Sequence, residues 1–179
     1  KRGSTRLFEL VEAMRKVSNI RKRNILFEAI DINEVIKGVG EDLSQIIQER
    51  NAVISYQQLP IVRGDVALLN ILFQNLIKNG IKFNQNQQPN IEIYATETLE
   101  NHVFNIKDNG IGIDEQYYKK VFEAFKRLHH YEQYSGTGIG LFISKDIVEM
   151  HKGRIWIEAN EPEGTIFKFT IPKNTTPDL

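Results

Sequence analysis

The chain has 179 residues, 41% of them hydrophobic, and its 23 basic residues balance 23 acidic ones. This length suits one domain with an appendage, and the zero net charge gives no reason to expect nucleic acid or an anionic membrane surface as a partner, so any phosphate binding has to be local. The lack of cysteine excludes disulfides, zinc–thiolate sites and thiol nucleophiles and fits the reducing cytosol. No apolar run is long enough to cross a membrane, and we expect no membrane contact by this chain.

The first predicted element is an amphipathic helix over residues 5–20, whose apolar side chains recur at spacings of three and four. This face has nothing local to pack on, and a basic cluster at residues 21–24 ends the pattern. We therefore expect residues 1–24 to form a helix and linker, followed by one domain at residues 25–173 and a polar tail at residues 174–179.

The domain is expected to begin with an extended piece over residues 25–30, which leads to Asn33. Asparagine is a frequent N-cap, so we predict that it caps a second helix ending near Arg50. A strand over residues 53–57 and a third helix over residues 66–83 follow.

Short alternating segments predict strands at residues 91–95, 103–107, 154–159 and 165–171, the first two as a hairpin. Between the pairs we expect a short helix at residues 115–121 and a longer one that starts near Gly138 and stops at Gly153, a left-handed terminator. Together the elements predict an α/β fold, a two-layer sandwich in which helices cover one face of a mixed sheet.

Two glycine-rich segments suggest a ligand. Residues 136–141 open a helix, where backbone N–H groups suit phosphate oxygens, although a tight capping turn explains them equally well. Residues 108–113 follow a strand, and the Asp108 carboxylate can accept a hydrogen bond from a purine amine while the glycines let the ring approach. Taken alone, Asp-Asn-Gly favours an ordinary turn.

The third helix contains three polar residues at spacings of four and three, Asn75, Asn79 and Lys82, which lie along the edge of its apolar face. An amide oxygen is a ligand that Mg²⁺ accepts, and an ammonium group neutralises a phosphate. Taken singly, most such stripes are solvated polar residues.

In this order, four segments resemble the nucleotide-binding boxes of the histidine kinase catalytic domain, a member of the GHKL superfamily with the Bergerat fold: residues 75–83, 108–113, 122–125 and 136–141. The resemblance extends over residues 31–172, and residues 125–129 resemble the lid of phytochrome-like sensor kinases. The helix in front resembles the second helix of a dimerisation and phosphotransfer hairpin. Gly80 stands where the family usually has alanine, which costs some helix stability and leaves the site intact.

The resemblance implies ATP and Mg²⁺ as cofactors and assigns roles to individual residues. Asp108 would bind the adenine amine and Asn79 would coordinate Mg²⁺, while Asn75 and Lys82 would line the phosphates, and these last three form the catalytic set. Lys126 and Arg127 are phosphate contacts or solvated lid charges. The remaining expected nucleotide contacts and lid anchors are Gly110, Gly112, Ile113, Phe122, Phe125, Gly136, Thr137, Gly138, Gly140, Leu141 and Thr165.

One position favours a kinase over the ATPases of type II topoisomerases, mismatch-repair proteins and Hsp90, which share the fold. Those hydrolases have a water-activating glutamate four residues before the magnesium asparagine, whereas this chain has Asn75, whose amide cannot take a proton. The resemblance therefore implies phosphoryl transfer to a histidine, driven by positioning and charge neutralisation.

The acceptor histidine is expected outside this chain. None of the four histidines precedes an acidic residue on a long exposed helix, and His151 lies in the last turn of a helix, where a partly positive ring suits the dipole. The implied partners are the dimerisation domain of a homodimeric parent and a response regulator. The alternative is a nucleotide-binding regulatory or docking module of a kinase-inactive sensor.

Overall fold

The computed structural model describes residues 25–126 and 137–173, together with the helical positions Val11, Met14, Arg15, Lys22 and residues 18–20. The side chains of Val11 and Met14 are more than half exposed, which fits the unpartnered apolar face that the sequence predicts there. None of the helices in these described ranges is long and apolar enough to span a membrane.

Within the described residues, five strands form a mixed sheet in the order β2-β4-β5-β7-β6. They are β2 (Val53–Tyr56), β4 (Asn90–Glu97), β5 (Asn101–Asp108), β6 (Ile155–Ala159) and β7 (Thr165–Pro172). Strand β2 runs parallel to β4, and the other pairings in this sheet are antiparallel. The predicted mixed sheet is therefore confirmed, with each strand boundary within a few residues.

A second, two-stranded ladder joins β1 (Glu28–Asp31) antiparallel to β3 (Ile61–Gly64). The sequence analysis predicted the extended piece in β1 but no strand at β3. Strand β3 is four residues long and buries only Val62 and Gly64, so its pairing partner, rather than its own pattern, makes it a strand.

The helices α1 (Ile32–Asp42), α2 (Ser44–Glu49), α3 (Val66–Lys82) and α4 (Gly140–Met150) supply the second layer. Helix α3 is the centre of the core, because Phe73 packs edge-on against Phe104 of β5 and Phe169 of β7, at ring distances of 5.8 and 5.5 Å. These two sheet rings stack on each other at 5.0 Å. The predicted α/β layering is confirmed.

Two helix boundaries differ from the prediction. The N-cap of α1 is Asp31, whose carboxylate accepts the N–H of Asn33 at 2.9 Å, and the predicted long second helix breaks at Leu43 into α1 and α2. The predicted helix over residues 115–121 is instead a pair of separate 3₁₀ turns, Glu115–Tyr117 and Lys120–Phe122.

The end of α4 corrects the role given to Gly153. The left-handed residue there is Lys152, with φ of 60°, so glycine is not needed for a terminator. A Cβ on Gly153 would lie 1.9 Å from the carbonyl oxygen of Thr170, so the position requires glycine because the chain passes against β7.

Candidate nucleotide-binding site

A cleft of about 240 Å³ lies between α3, the ends of β5 and β7, and the start of α4. Ten of the predicted site residues line it: Asn79, Lys82, Asp108, Gly112, Ile113, Thr137, Gly138, Gly140, Leu141 and Thr165. Lys126 lines it as well, together with apolar residues that the sequence analysis did not assign to a site: Phe83, Ile111, Val121 and Phe167. Phe83 and Ile111 lie inside the recognised boxes, whereas Val121 and Phe167 lie outside them.

Asp108 is the last residue of β5 and is only 6% exposed. One carboxylate oxygen, Oδ1, accepts the backbone N–H groups of Gly110 at 2.8 Å and Thr165 at 3.2 Å. Burial raises the pKa of this carboxyl to about 6, against the smaller lowering effect of the two N–H groups. At neutral pH it is therefore mainly ionised and able to accept a hydrogen bond from a ligand amine.

Glycines allow the backbone to close around Asp108. Gly112 has φ of +71°, and it lies against Gly164, whose φ is +119° and whose Cβ would lie 2.0 Å from the Asp108 carbonyl oxygen. Gly110 is not among the described residues that line the cleft. A Cβ there would lie 2.4 Å from the carbonyl oxygen of Phe83, so Gly110 gives room to the end of α3.

Helix α3 carries the polar side of the cleft. Its N-cap is Asp65, whose carboxylate accepts the N–H groups of Ala67 and Leu68, and the helix runs unbroken to the cleft-lining Asn79 and Lys82. The Lys82 Nζ lies 4.4 Å from the centre of the Phe83 ring, a distance that allows a cation–π contact.

Gly80, the departure from the family pattern, also lies on α3. A Cβ at this position would lie 3.1 Å from both the Asp108 Cβ and Ile91 Cγ1. The close approach of α3 to Asp108 and Ile91 therefore favours a glycine at this position of the helix.

Asn75 lies outside the described cleft lining. Its side-chain amide donates to the carbonyl oxygen of Gly140 at 3.2 Å, so it ties α3 to the first residue of α4. The N-cap residue of α4, Ile139, is apolar and makes no side-chain cap hydrogen bond to the helix.

Of the two expected lid anchors, Phe122 is buried, at 8% exposure, whereas Phe125 is 40% exposed. Neither is among the described residues that line the cleft. Phe125 has a left-handed φ of 63°, and its N–H donates to the carbonyl oxygen of Gly138 at 3.0 Å. Arg127 and Gly136 lie outside the described residues, as does the rest of the expected lid, including His129 and His130.

His151 corrects the expectation of a partly positive ring. It is fully buried, and its Nδ1 lies 2.8 Å from the Ile147 carbonyl oxygen while Nε2 accepts the Asp65 N–H at 3.1 Å. A nitrogen that accepts a hydrogen bond carries no proton, so the ring is neutral, and burial lowers its pKa. A partly positive ring would have no acceptor nitrogen for this contact.

The described residues fit a nucleotide-bound Mg²⁺ better than a metal held by the protein alone. They contain no group of three or more His, Cys, Asp or Glu that could hold a metal ion. The Asn79 amide in the cleft is the kind of single oxygen donor that Mg²⁺ accepts when phosphates and water supply its other ligands.

Residues 64–175 match the family model of the histidine kinase-, DNA gyrase B-, and HSP90-like ATPases. The chain belongs to this family. The phytochrome-like protein Cph1 of Synechocystis sp. is 44% identical over 142 residues, which are 79% of this chain and 19% of that protein. The chain spans about a fifth of the length of the curated relatives it matches.

Solved structures place this ATPase domain among histidine kinase catalytic domains. The catalytic domain of histidine kinase ThkA is 26% identical with a TM-score of 0.71, and the match covers 84% of this chain and 99% of that one. ThkA in complex with the response regulator protein TrrA shares the fold, with a TM-score of 0.74 and 22% identity over 96% of this chain and 49% of that one.

Proposed function

We propose that this domain binds ATP with Mg²⁺ and transfers the γ-phosphoryl group to a histidine of a dimerisation domain in its parent protein, for relay to a response regulator. The observation that carries the proposal is that one cleft is lined both by Asp108, a buried carboxylate at the end of β5, and by Asn79 and Lys82 of α3. A nucleotide carries groups that complement these residues, a purine amine for the carboxylate and a chain of phosphates for the polar side chains of α3.

Each side chain has a part in the proposed reaction. Asp108 accepts a hydrogen bond from the adenine amine, and the uncapped start of α4 and the Lys82 ammonium attract the phosphates. Asn79 would hold Mg²⁺, which would neutralise phosphate charge. The acceptor imidazole nitrogen bonds to the γ-phosphorus as the bond to the ADP oxygen breaks, and the ring releases its N–H proton.

The cleft is poorly equipped for hydrolysis. Among its described lining residues Asp108 is the one carboxylate, and the proposal uses it for adenine. Asn75, at the position of the hydrolases' glutamate, donates to the Gly140 carbonyl and has no basic group for a water proton. These observations favour transfer to a histidine over transfer to water.

Neither described histidine lines the cleft. His151 is fully buried, and His102 lies at the start of β5, at the opposite end of the strand from Asp108. We therefore place the acceptor in the dimerisation domain of a homodimeric parent. The complex of ThkA with a response regulator supports a similar protein as the next acceptor.

The test supplies the missing acceptor. The parent's dimerisation helices, joined to this chain and incubated with radiolabelled ATP, should acquire an acid-labile label, and Asn79→Ala should abolish it. The chain by itself should bind ATP in preference to GTP and barely consume it. ATP binding without any label in the extended protein would support a regulatory or docking module instead. Stable label on the isolated chain would contradict an external acceptor.

A further inference from the structure

Asn109 sits between two recognised site residues, Asp108 and Gly110, yet it is not among the described residues that line the cleft. Its hydrogen bonds go instead to residues 84–90, which comprise the loop after α3 and the first residue of β4. Its Oδ1 accepts from two groups, the Asn84 side-chain amide at 2.7 Å and the Asn90 N–H at 2.8 Å.

The side-chain nitrogen and the backbone carbonyl of Asn109 also form hydrogen bonds with these residues. The Nδ2 of Asn109 donates to the Gln88 carbonyl oxygen at 3.3 Å, and its backbone carbonyl accepts from the Asn86 side chain. The loop also has contacts of its own, since the Asn86 N–H donates to Asn84 Oδ1 at 2.9 Å and the Pro89 carbonyl accepts the Val53 N–H at 2.8 Å. Asn109 adds four hydrogen bonds that tie these residues to the end of β5.

The loop is anchored to α3 by Asn84, which is only 2% exposed. The carbonyl oxygen of Asn84 accepts the Arg50 guanidinium at 2.7 Å, and the neighbouring Phe83 carbonyl accepts the Ile111 N–H at 3.0 Å. The two residues directly after α3 are thus tied to the segment behind β5, Phe83 through the Ile111 N–H and Asn84 through the Asn109 side chain.

We propose that Asn109 is a positioning residue that fixes the distance between the two halves of the nucleotide site without touching the nucleotide. One half is Asp108, on the sheet, and the other is Asn79 and Lys82, on α3. The inference rests on the proposed ATP-binding function. A ligand that spans both halves depends on their separation, whereas a ligand that uses the adenine half alone does not.

The experiment compares ATP·Mg²⁺ with adenosine by titration calorimetry and ligand-observed NMR in wild type and Asn109→Ala. The variant should bind ATP·Mg²⁺ roughly tenfold more weakly, the equivalent of one or two lost hydrogen bonds, and should bind adenosine within about twofold of wild type. Asn84→Ala, which removes the partner from the loop side, should reproduce this selective loss, and the double variant should lose less than the two single effects combined.

Asn33→Ala is the matched control. The Asn33 side chain also fastens a loop, through hydrogen bonds at 3.0 Å to both the N–H and the carbonyl of Leu59, but it lies on α1, away from the cleft. It should lower stability and leave the ratio of ATP to adenosine affinity unchanged.

Two results would overturn the positioning role: equal losses for ATP and adenosine, or unchanged affinity for both in folded Asn109→Ala and Asn84→Ala. If Asn109→Ala does not fold, Asn84→Ala decides alone. Wild type that fails to bind ATP would instead refute the proposed function, so the two failures are distinguishable.

Discussion

The buried Asp108 carboxylate, which binds adenine in the proposed function, lowers the stability of the fold at neutral pH. Its folded-state pKa of about 6 lies above the ordinary value of 3.8, so the folded protein binds this proton more tightly than the unfolded chain does. Burying the ionised form therefore costs about 3 kcal/mol at neutral pH. That cost is relieved as the pH falls through about 6 toward 3.8.

The same titration predicts the pH dependence of ATP binding. Because only the ionised carboxylate accepts from the adenine amine without competition from its own proton, ATP affinity should fall by about fourfold between pH 7.5 and pH 5.5. Calorimetry at both pH values checks this. Asp108→Asn is the control. Its amide does not titrate, so position 108 should contribute no pH dependence to its weaker ATP binding. A flat profile in wild type would contradict the role of Asp108.

Asp108→Asn should also separate stability from binding. The Asn oxygen keeps an acceptor for the N–H groups of Gly110 and Thr165, and the buried charge is removed, so the apo protein should gain about 2 kcal/mol at pH 7.5. Urea denaturation without nucleotide measures the gain. A loss of more than about 1 kcal/mol would mean that the carboxylate stabilises the fold.

The effect of a glycine on stability depends on whether it lies inside a helix, as in α1, or where two elements pass close to each other. Gly38 and Gly40 have nothing within 4 Å of an added Cβ, so they only weaken the helix. Gly153, by contrast, is required where the chain beyond α4 passes against Thr170 of β7.

Gly38→Ala should therefore stabilise the domain by up to about 1 kcal/mol, because alanine loses less backbone entropy in a helix and meets no neighbour. Thermal and urea unfolding measure the effect. Gly153→Ala is the opposite control and should destabilise strongly. If Gly38→Ala lowered the melting temperature, the helix surface would have to contact something outside the described residues.

At the scale of the whole molecule, His151 joins segments that are far apart in sequence. Its ring meets Phe27, just before β1, at 5.3 Å, packs against Gly64 at the end of β3, and accepts the N–H of Asp65 at the start of α3. It thus connects the first residues of the domain with the ends of α3 and α4 that lie away from the cleft.

This junction predicts acid sensitivity of the entire fold. Because the folded-state pKa of His151 lies below its ordinary 6.5, its stabilising contribution is complete above pH 6.5 and is lost as the pH falls below that value. The effect opposes that of Asp108, so it is measured in Asp108→Asn, whose unfolding free energy should fall between pH 7.5 and pH 5.5. His151→Ala should cost about 2–4 kcal/mol by leaving a cavity and an unpaired Asp65 N–H. An Asp108→Asn variant with equal stability at both pH values would contradict the neutral buried ring.

Local patterns were sufficient for most elements and for the order of the site boxes. The α3 face of leucines and phenylalanines and the alternation in β4 and β7 are set by residues a few positions apart, so periodicity predicts them directly. The split of the second helix at Leu43 and the 3₁₀ turns near Tyr117 were missed, because weak local preferences there yield to packing.

The sequence by itself determined the layered α/β fold, the family and the residue types of the site, since each depends on short spacings along the chain. Only the tertiary structure decided which residues meet: Gly110 faces Phe83 instead of the cleft, Asn109 holds the loop after α3, and His151 is a neutral acceptor for Asp65. These contacts join positions up to 86 residues apart. Burial and partner choice at such separations follow from the packing of whole elements, which no local pattern encodes.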